Sequence, residues 1–342
     1  MITEIKPYKV AVVQAAPEFL DIKATVEKTI RLMEQAKEEG ATLIAFPETW
    51  IPGYPQWIFL GAPAWAIQRG FVRRYYENAL VYNSEHARTI QAAARRLGLY
   101  VVLSMAERDI TTLYIAQWII GPDGATIAQR RKLKGTHAER TVFGEGDGSD
   151  LAVHDLPIGR VGAMCCFEHL QPLSKYAMFA QNEQVHVASW PSFSMRDPIC
   201  TTSRGARSNA MSQVYAIEGS CFVLAPSMVM TEEAVAMLCD SDDKREILQA
   251  GGGHAIIYGP DGAPLVDKLG EHEEGLLVAE IDLSKILIAK VWADPAGHYA
   301  RPDVTRLLLN RQRRRPVQEF DSGEASSEFP AEDRGESWLG AE

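Results

Sequence analysis

Apolar residues follow two rhythms along this chain. Short unbroken apolar runs alternate with longer segments in which apolar positions recur at helical spacing. KVAVVQAA (9–16) predicts a buried strand. In DIKATVEKTIRLMEQAKEEG (21–40), Val26, Ile30, Leu32, Met33 and Ala36 share one helical face and Gly40 supplies a stop. ATLIAFPE predicts a strand halted by Pro47, and SEHARTIQAAARRLG (84–98) a second helix. The strands YVVLSMAE, LYIAQWII and ATIAQRRK follow, the last two joined by a GPDG turn. The theme then recurs. RVGAMCC, VHVASWP, CFVLAPS and GLLVAEIDL predict strands, and PLSKYAMFAQNE, SRGARSNAMSQVYAIEG and SKILIAKVW predict helices.

IIGPDGATI (119–127) and IIYGPDGAPLV (256–266) nearly match, and each sits late in its half of the chain. Alternating strands and helices in two similar halves predict an α/β domain. Two stacked sheets with helices outside give a four-layer α–β–β–α sandwich over residues 1–304. From 305 to 342 the chain turns first basic, in RQRRRP, then rich in Glu, Asp, Ser and Gly. That composition predicts a C-terminal extension that is disordered or serves assembly.

The 46% apolar and 23% charged content of the 342 residues is that of a soluble globular protein. A net charge of −10 argues against nucleic acid or anionic membrane as partner. The start has no basic segment leading into a long apolar one, so no signal peptide is expected. The five cysteines are odd in number and lack metal-type spacing, which favours free thiols in a reducing, cytoplasmic compartment.

Three strands end in a reactive residue: Glu48 after LIAFP, Lys132 after ATIAQRR, and the pair Cys165–Cys166. Ligand sites in α/β sheets gather at the carboxyl ends of strands, so one pocket for all three is plausible chemistry. A lysine ammonium there is expected to stabilise a thiolate, and a carboxylate to act as general base. Strand alternation places the two cysteines on opposite faces but leaves open which face holds the site.

The segments FPETWIPGYP, RRKLKGTHAER, GAMCCFEHLQPLSKYAMFAQNEQVH and DPAGHYARPD, in that order, resemble the motifs of nitrilases, a branch of the carbon–nitrogen hydrolase superfamily. The resemblance runs from about residue 8 to 310. It implies the same sandwich, a Glu–Lys–Cys catalytic set and no metal or organic cofactor. By motif position it implies Glu48, Lys132 and Cys166 as that set, with Glu139 orienting the lysine or the substrate. Lys134 is the less favoured lysine, and Cys165 falls to core packing. Two departures from the family pattern stand out. Gly135 replaces a common Pro and is expected to loosen the loop carrying His137 and Glu139. Phe167 replaces a common Trp after the nucleophile.

For the substrate, the resemblance is greatest to nitrilases acting on arylacetonitriles such as phenylacetonitrile or mandelonitrile, with carboxylic acid, ammonia and some amide as products. Tyr54, Trp57, His137, Phe167, Trp190 and Phe193 are the candidate pocket residues. Aliphatic nitriles, an amidase or cyanide-degrading activity, and a non-catalytic filament protein are the alternatives. The resemblance also implies a homodimer that assembles into higher oligomers or spirals. His169 and His298 are read as structural hydrogen-bonding residues rather than bases.

Overall fold

The computed structural model describes residues 4–196 and 204–314. Strand β1 (Tyr8–Ala15) runs through the middle of the first sheet, parallel to β2 (Ala41–Ala45), which is parallel to β3 (Tyr100–Asp109). Two antiparallel strands, β4 (Thr112–Ile120) and β5 (Thr126–Arg131), extend that edge. The second sheet has the order β11–β9–β8–β7–β6, made of β6 (His154–Leu156), β7 (Gly159–Cys165), β8 (Val185–Ser189), β9 (Phe222–Ala225) and β11 (Ile256–Tyr258).

Strand alternation sorts the side chains into layers. Val10 and Val12 of β1 point between the sheets, where they join Leu43, Val102, Val161, Val185, Val187, Phe222 and Leu224. Ala11 and Val13 point the other way and pack with Val26, Met33 and Ala36 of α1 (Ile22–Glu38) and Ile90 of α4 (Glu85–Leu97). On the far side, Met164 and Ala188 pack against Met178 of α5 (Pro172–Phe179) and Tyr215 of α6 (Arg204–Gly219). Helix, sheet, sheet and helix thus stack in four layers.

Neither half closes on itself. The short β10 (Ser227–Met228) and β12 (Gly275–Ile281) both leave the second half to pair with β1. The two GPDG turns share one bond pattern: Gly121 and Gly259 donate to Ala125 and Ala263, each at 2.8 Å. The first returns as the paired strand β5. The second forms just one bridge, Tyr258 to Pro264, because proline has no N–H to continue a ladder.

Short helices lie where the apolar pattern assigns no element: α2 (Pro63–Gln68), α3 (Phe71–Asn78), α7 (Glu232–Leu238) and α8 (Asp242–Ile247). α2, α7 and α8 run only six or seven residues, while α3 buries Phe71 and Tyr75, one turn apart. Helix α9 (Lys285–Trp292) follows β12. Residues 305–314 form no regular element, and the acidic part of the extension lies outside the described residues. No helix among the described residues is long and apolar enough to cross a membrane.

Leu43 is fully buried between the two sheets. Leu43→Ala is expected to cost about 2–5 kcal/mol, measured as a lowered midpoint in denaturant unfolding.

Candidate active site

Three backbone segments reach the same end of the sandwich, where buried polar bonds join the sheets. Glu48 follows β2 by three residues, and its N–H donates to the Trp190 carbonyl, just past β8, at 3.1 Å. Ser189 Oγ donates to the Phe46 carbonyl at 3.0 Å. Gln117 Nε2, on β4, reaches Ser189 Oγ at 2.9 Å and the Met164 carbonyl at 3.2 Å. Sheet ends that would otherwise splay are fixed relative to each other.

Lys132 stands one residue past β5, and its side chain is almost wholly buried. Its Nζ is 2.9 Å from Glu48 Oε1 and 2.7 Å from Glu139 Oε2. Glu139 is held in turn by the Tyr54 hydroxyl at 2.6 Å and the Thr136 N–H at 2.7 Å. The Thr136 bond belongs to a capping box that closes the short 3-10 turn His137–Thr141. A Cβ on Gly135 would sit 3.2 Å from the Arg140 nitrogen and 3.3 Å from Glu139. The glycine leaves room for this turn to pack closely against Glu139 and Arg140.

Cys166 opens the 3-10 turn Cys166–Leu170 directly after β7 with φ +45, a region L-residues seldom adopt. This turn separates the two thiols. Cys165 packs with Met195, Ala106 and Ile115, while Cys166 joins the cluster of Met164 and Trp190. Glu48, Lys132 and Glu139 all act electrostatically on the Cys166 sulfur, and the Phe167 N–H donates to it.

Burial pushes the Cys166 thiol well above its ordinary value, and the Glu48 charge adds to this. Lys132 and the Phe167 N–H oppose without prevailing, which suits a thiol that needs a base to take its proton. Burial raises the Glu48 carboxyl to about 8, Lys132 opposing and Glu139 reinforcing. Burial also works against the Lys132 ammonium, but the two carboxylates outweigh it and hold the lysine well above its usual range. Glu48 Oε2 has no hydrogen-bond partner among the described residues. The arrangement offers a tuned base, a fixed cation and a sulfur on a strained turn.

Two residues that the motif reading did not single out hold these pieces in register. Glu168 accepts from the Cys165 N–H at 2.8 Å and from the Leu133 N–H at 3.0 Å. It also takes a two-pronged bond from Arg130, at 2.8 and 2.9 Å. One carboxylate therefore ties the strand end carrying Lys132 to the strand end carrying Cys166. Burial would raise the Glu168 carboxyl, but Arg130 and the two N–H groups outweigh it and hold it below the ordinary value. The sequence signal was Arg130 two residues before Lys132, with Glu168 two after Cys166.

The candidate pocket residues divide. Phe167 is 40% exposed, Phe193 is half-buried beside Trp190, and His137 is exposed and stacks on Phe59. Tyr54 is buried and bonded to Glu139. Trp190 is buried, with its indole N–H on Ser212 Oγ at 3.0 Å. Trp57 packs among Phe71 and Tyr75. Lys134 is exposed and pairs with Glu145, away from the buried cluster.

The fold is thus a two-sheet sandwich with a buried Glu–Lys–Glu cluster and a cysteine at its strand ends. Residues 9–289 match the carbon–nitrogen hydrolase family model. The chain is 61% identical over 306 residues to a nitrilase of Pseudomonas syringae, covering 89% of this chain and 90% of that one. It is 45% identical to an arylacetone-specific nitrilase of Alcaligenes faecalis, covering 91% and 87%. It is also 45% identical to an aliphatic nitrilase of Rhodococcus rhodochrous, covering 93% and 86%. A carbon–nitrogen hydrolase from Helicobacter pylori shares the fold, with TM-score 0.68, 19% identity and coverage of 87% and 97%. The chain belongs to the nitrilases of the carbon–nitrogen hydrolase family.

Arg130→Met leaves Glu168 buried without its cation. It is expected to destabilise the protein by about 3–5 kcal/mol, read as a lower denaturation midpoint.

Proposed function

We propose that this nitrilase hydrolyses organic nitriles, arylacetonitriles foremost, to carboxylic acid and ammonia through a covalent Cys166 intermediate. The observation that carries the reading is the Lys132 ammonium clamped between Glu48 and Glu139 beside the Cys166 sulfur. Ionised Glu48 takes the thiol proton as the sulfur attacks the nitrile carbon. The proton passes to the nitrile nitrogen, giving a thioimidate. Lys132 and the Phe167 N–H stabilise the charge that develops on nitrogen and later on oxygen. Water, deprotonated by Glu48, adds to form a tetrahedral intermediate. Loss of ammonia leaves a thioester, which a second water cleaves to the acid and the free thiol. Loss of the sulfur from the tetrahedral species instead yields an amide.

Phe167 and Phe193 supply accessible aromatic surface for an aryl group. An arylacetone-specific nitrilase and an aliphatic nitrilase stand at equal identity to this chain, so aliphatic nitriles form the second reading. A homodimer that assembles further is proposed from the apolar side chains left exposed: Leu173 on α5, Ile217 on α6, and Val291 and Trp292 on α9. The proposed location is the cytoplasm, which keeps the thiol reduced.

Cys166→Ala is expected to release no ammonia from phenylacetonitrile while staying folded, and Cys165→Ala to keep turning over. The reverse pattern would overturn the assignment. Ammonia from phenylacetonitrile, an aliphatic nitrile and phenylacetamide, measured in parallel, ranks the substrate classes; ammonia from phenylacetamide alone would favour an amidase.

The sign of the pH dependence follows from Glu48. Its carboxyl is raised to about 8 and is active when ionised. kcat/KM is therefore expected to fall about tenfold per unit as pH drops below that value, measured on the purified enzyme. A flat profile from pH 5 to 8 would contradict Glu48 as the base.

A further inference from the structure

A second buried polar chain begins at the nucleophile's own backbone. His169 Nδ1 lies 2.6 Å from the Cys166 carbonyl oxygen, and His169 Nε2 lies 2.9 Å from His186 Nε2. His186 Nδ1 lies 2.7 Å from Glu183 Oε1, and the Tyr215 hydroxyl donates to Glu183 Oε2 at 2.5 Å. All four side chains are buried. His169 stacks on Trp190, and His186 lies against the Tyr215 ring with centroids 3.8 Å apart. Gly162 on β7, paired with His186 on β8, leaves the space this chain needs; a Cβ there would come within 2.0 Å of Glu183 Oε1.

The atoms fix the direction of the bonds. A carbonyl oxygen only accepts, so His169 Nδ1 carries a proton. Burial drives His169 down to about 3 and His186 well below its ordinary value, so both rings are neutral. His169 Nε2 then accepts from His186 Nε2–H, and His186 Nδ1 must itself accept. Its partner, Glu183, therefore carries a proton, in keeping with a carboxyl that burial raises to about 8. The other titratable groups that act on this chain are Arg130 and Glu168, which pair with each other, and the buried thiol of Cys221 beside Glu183 and Tyr215.

We propose that Glu183, His186 and His169 form a one-way proton relay that positions Cys166 by holding its carbonyl, and that loss of one proton reverses the relay and releases it. The relay holds three protons: on His169 Nδ1, on His186 Nε2 and on Glu183. When the first leaves to solvent hydroxide, the other two each hop across their own hydrogen bond. Glu183 becomes a carboxylate facing His186 Nδ1–H, and His169 Nε2 gains the proton of His186. His169 Nδ1 is left with a lone pair facing the Cys166 oxygen, which repels it. The nucleophile sits at φ +45, so losing this anchor removes the constraint on a strained turn. These are positioning residues, since none touches the reacting atoms.

The inference rests on Cys166 being the nucleophile of nitrile hydrolysis. It predicts that kcat declines above about pH 8, at constant KM. Glu183→Gln, whose amide donates to His186 and accepts from Tyr215 but cannot ionise, should move that decline upward by at least one unit. Glu183→Ala should lower neutral-pH kcat about tenfold relative to Glu183→Gln. An alkaline limb unchanged in Glu183→Gln would overturn the relay. A separate readout needs no turnover. In protein labelled with ¹⁵N-histidine, the His169 ring should carry its proton on Nδ1 at pH 7 and on Nε2 above pH 9. A proton on Nε2 at pH 7 would overturn the proposal. If the enzyme hydrolyses no nitrile but the proton shift is seen, the proposed function fails and the relay stands.

Discussion

The site depends on one ammonium shared by two carboxylates in a place with almost no water. Lys132 is within 3 Å of both Glu48 and Glu139, and all three side chains are buried. A single charge in such surroundings would be prohibitive, and a single pair would be merely neutral. With both carboxylates ionised, the three groups carry an excess of one negative charge. Burial lifts Glu48 to about 8, with Lys132 opposing and Glu139 adding to the rise, and a carboxylate there is a stronger base than it is in water. Glu139 therefore tunes Glu48 as well as aiming Lys132. Burial first, and then the Glu48 charge, raise the neighbouring thiol against the pull of Lys132. In the proposed mechanism, proton removal and attack are therefore one event.

The architecture serves that cluster. Glu48, Lys132 and Cys166 hang from strands β2, β5 and β7, which belong to two different sheets. Their relative positions depend on cross-sheet bonds, and those bonds are buried and polar. Gln117, Ser189 and the Glu48 N–H join the sheet ends, and Glu168 with Arg130 joins the two loops. Each such bond would be expensive to leave unmade, so the set favours one arrangement over many. The histidine chain behind Cys166 extends the logic into the second sheet and its helix α6.

Much of this was legible in the sequence because the chemistry of strand and helix faces is local. KVAVVQAA and DIKATVEKTIRLMEQAKEEG each carry a period that fixes element and buried face, and the two GPDG turns foreshadow one shared bond pattern. What escaped was what depends on distance in space. Nothing in the GLLVAEIDL run says that it pairs with β1 rather than with β11. Helix α2 is only six residues long, and α3 shows its buried face through just Phe71 and Tyr75. The raised Cys166 thiol was not legible, because it comes from burial and the Glu48 charge exceeding the attraction of Lys132, a balance that no spacing encodes. Glu183, His186 and Tyr215 share no single motif in the sequence, and only the fold connects them to Cys166.

The account stands on a sulfur–carbon bond at one residue. The most direct test is mass spectrometry of protein quenched during turnover of a slow aromatic nitrile, followed by peptide mapping. The account predicts a substrate-derived mass on Cys166 and none on Cys165. Turnover with no adduct on Cys166, or an adduct on Cys165 alone, would contradict it.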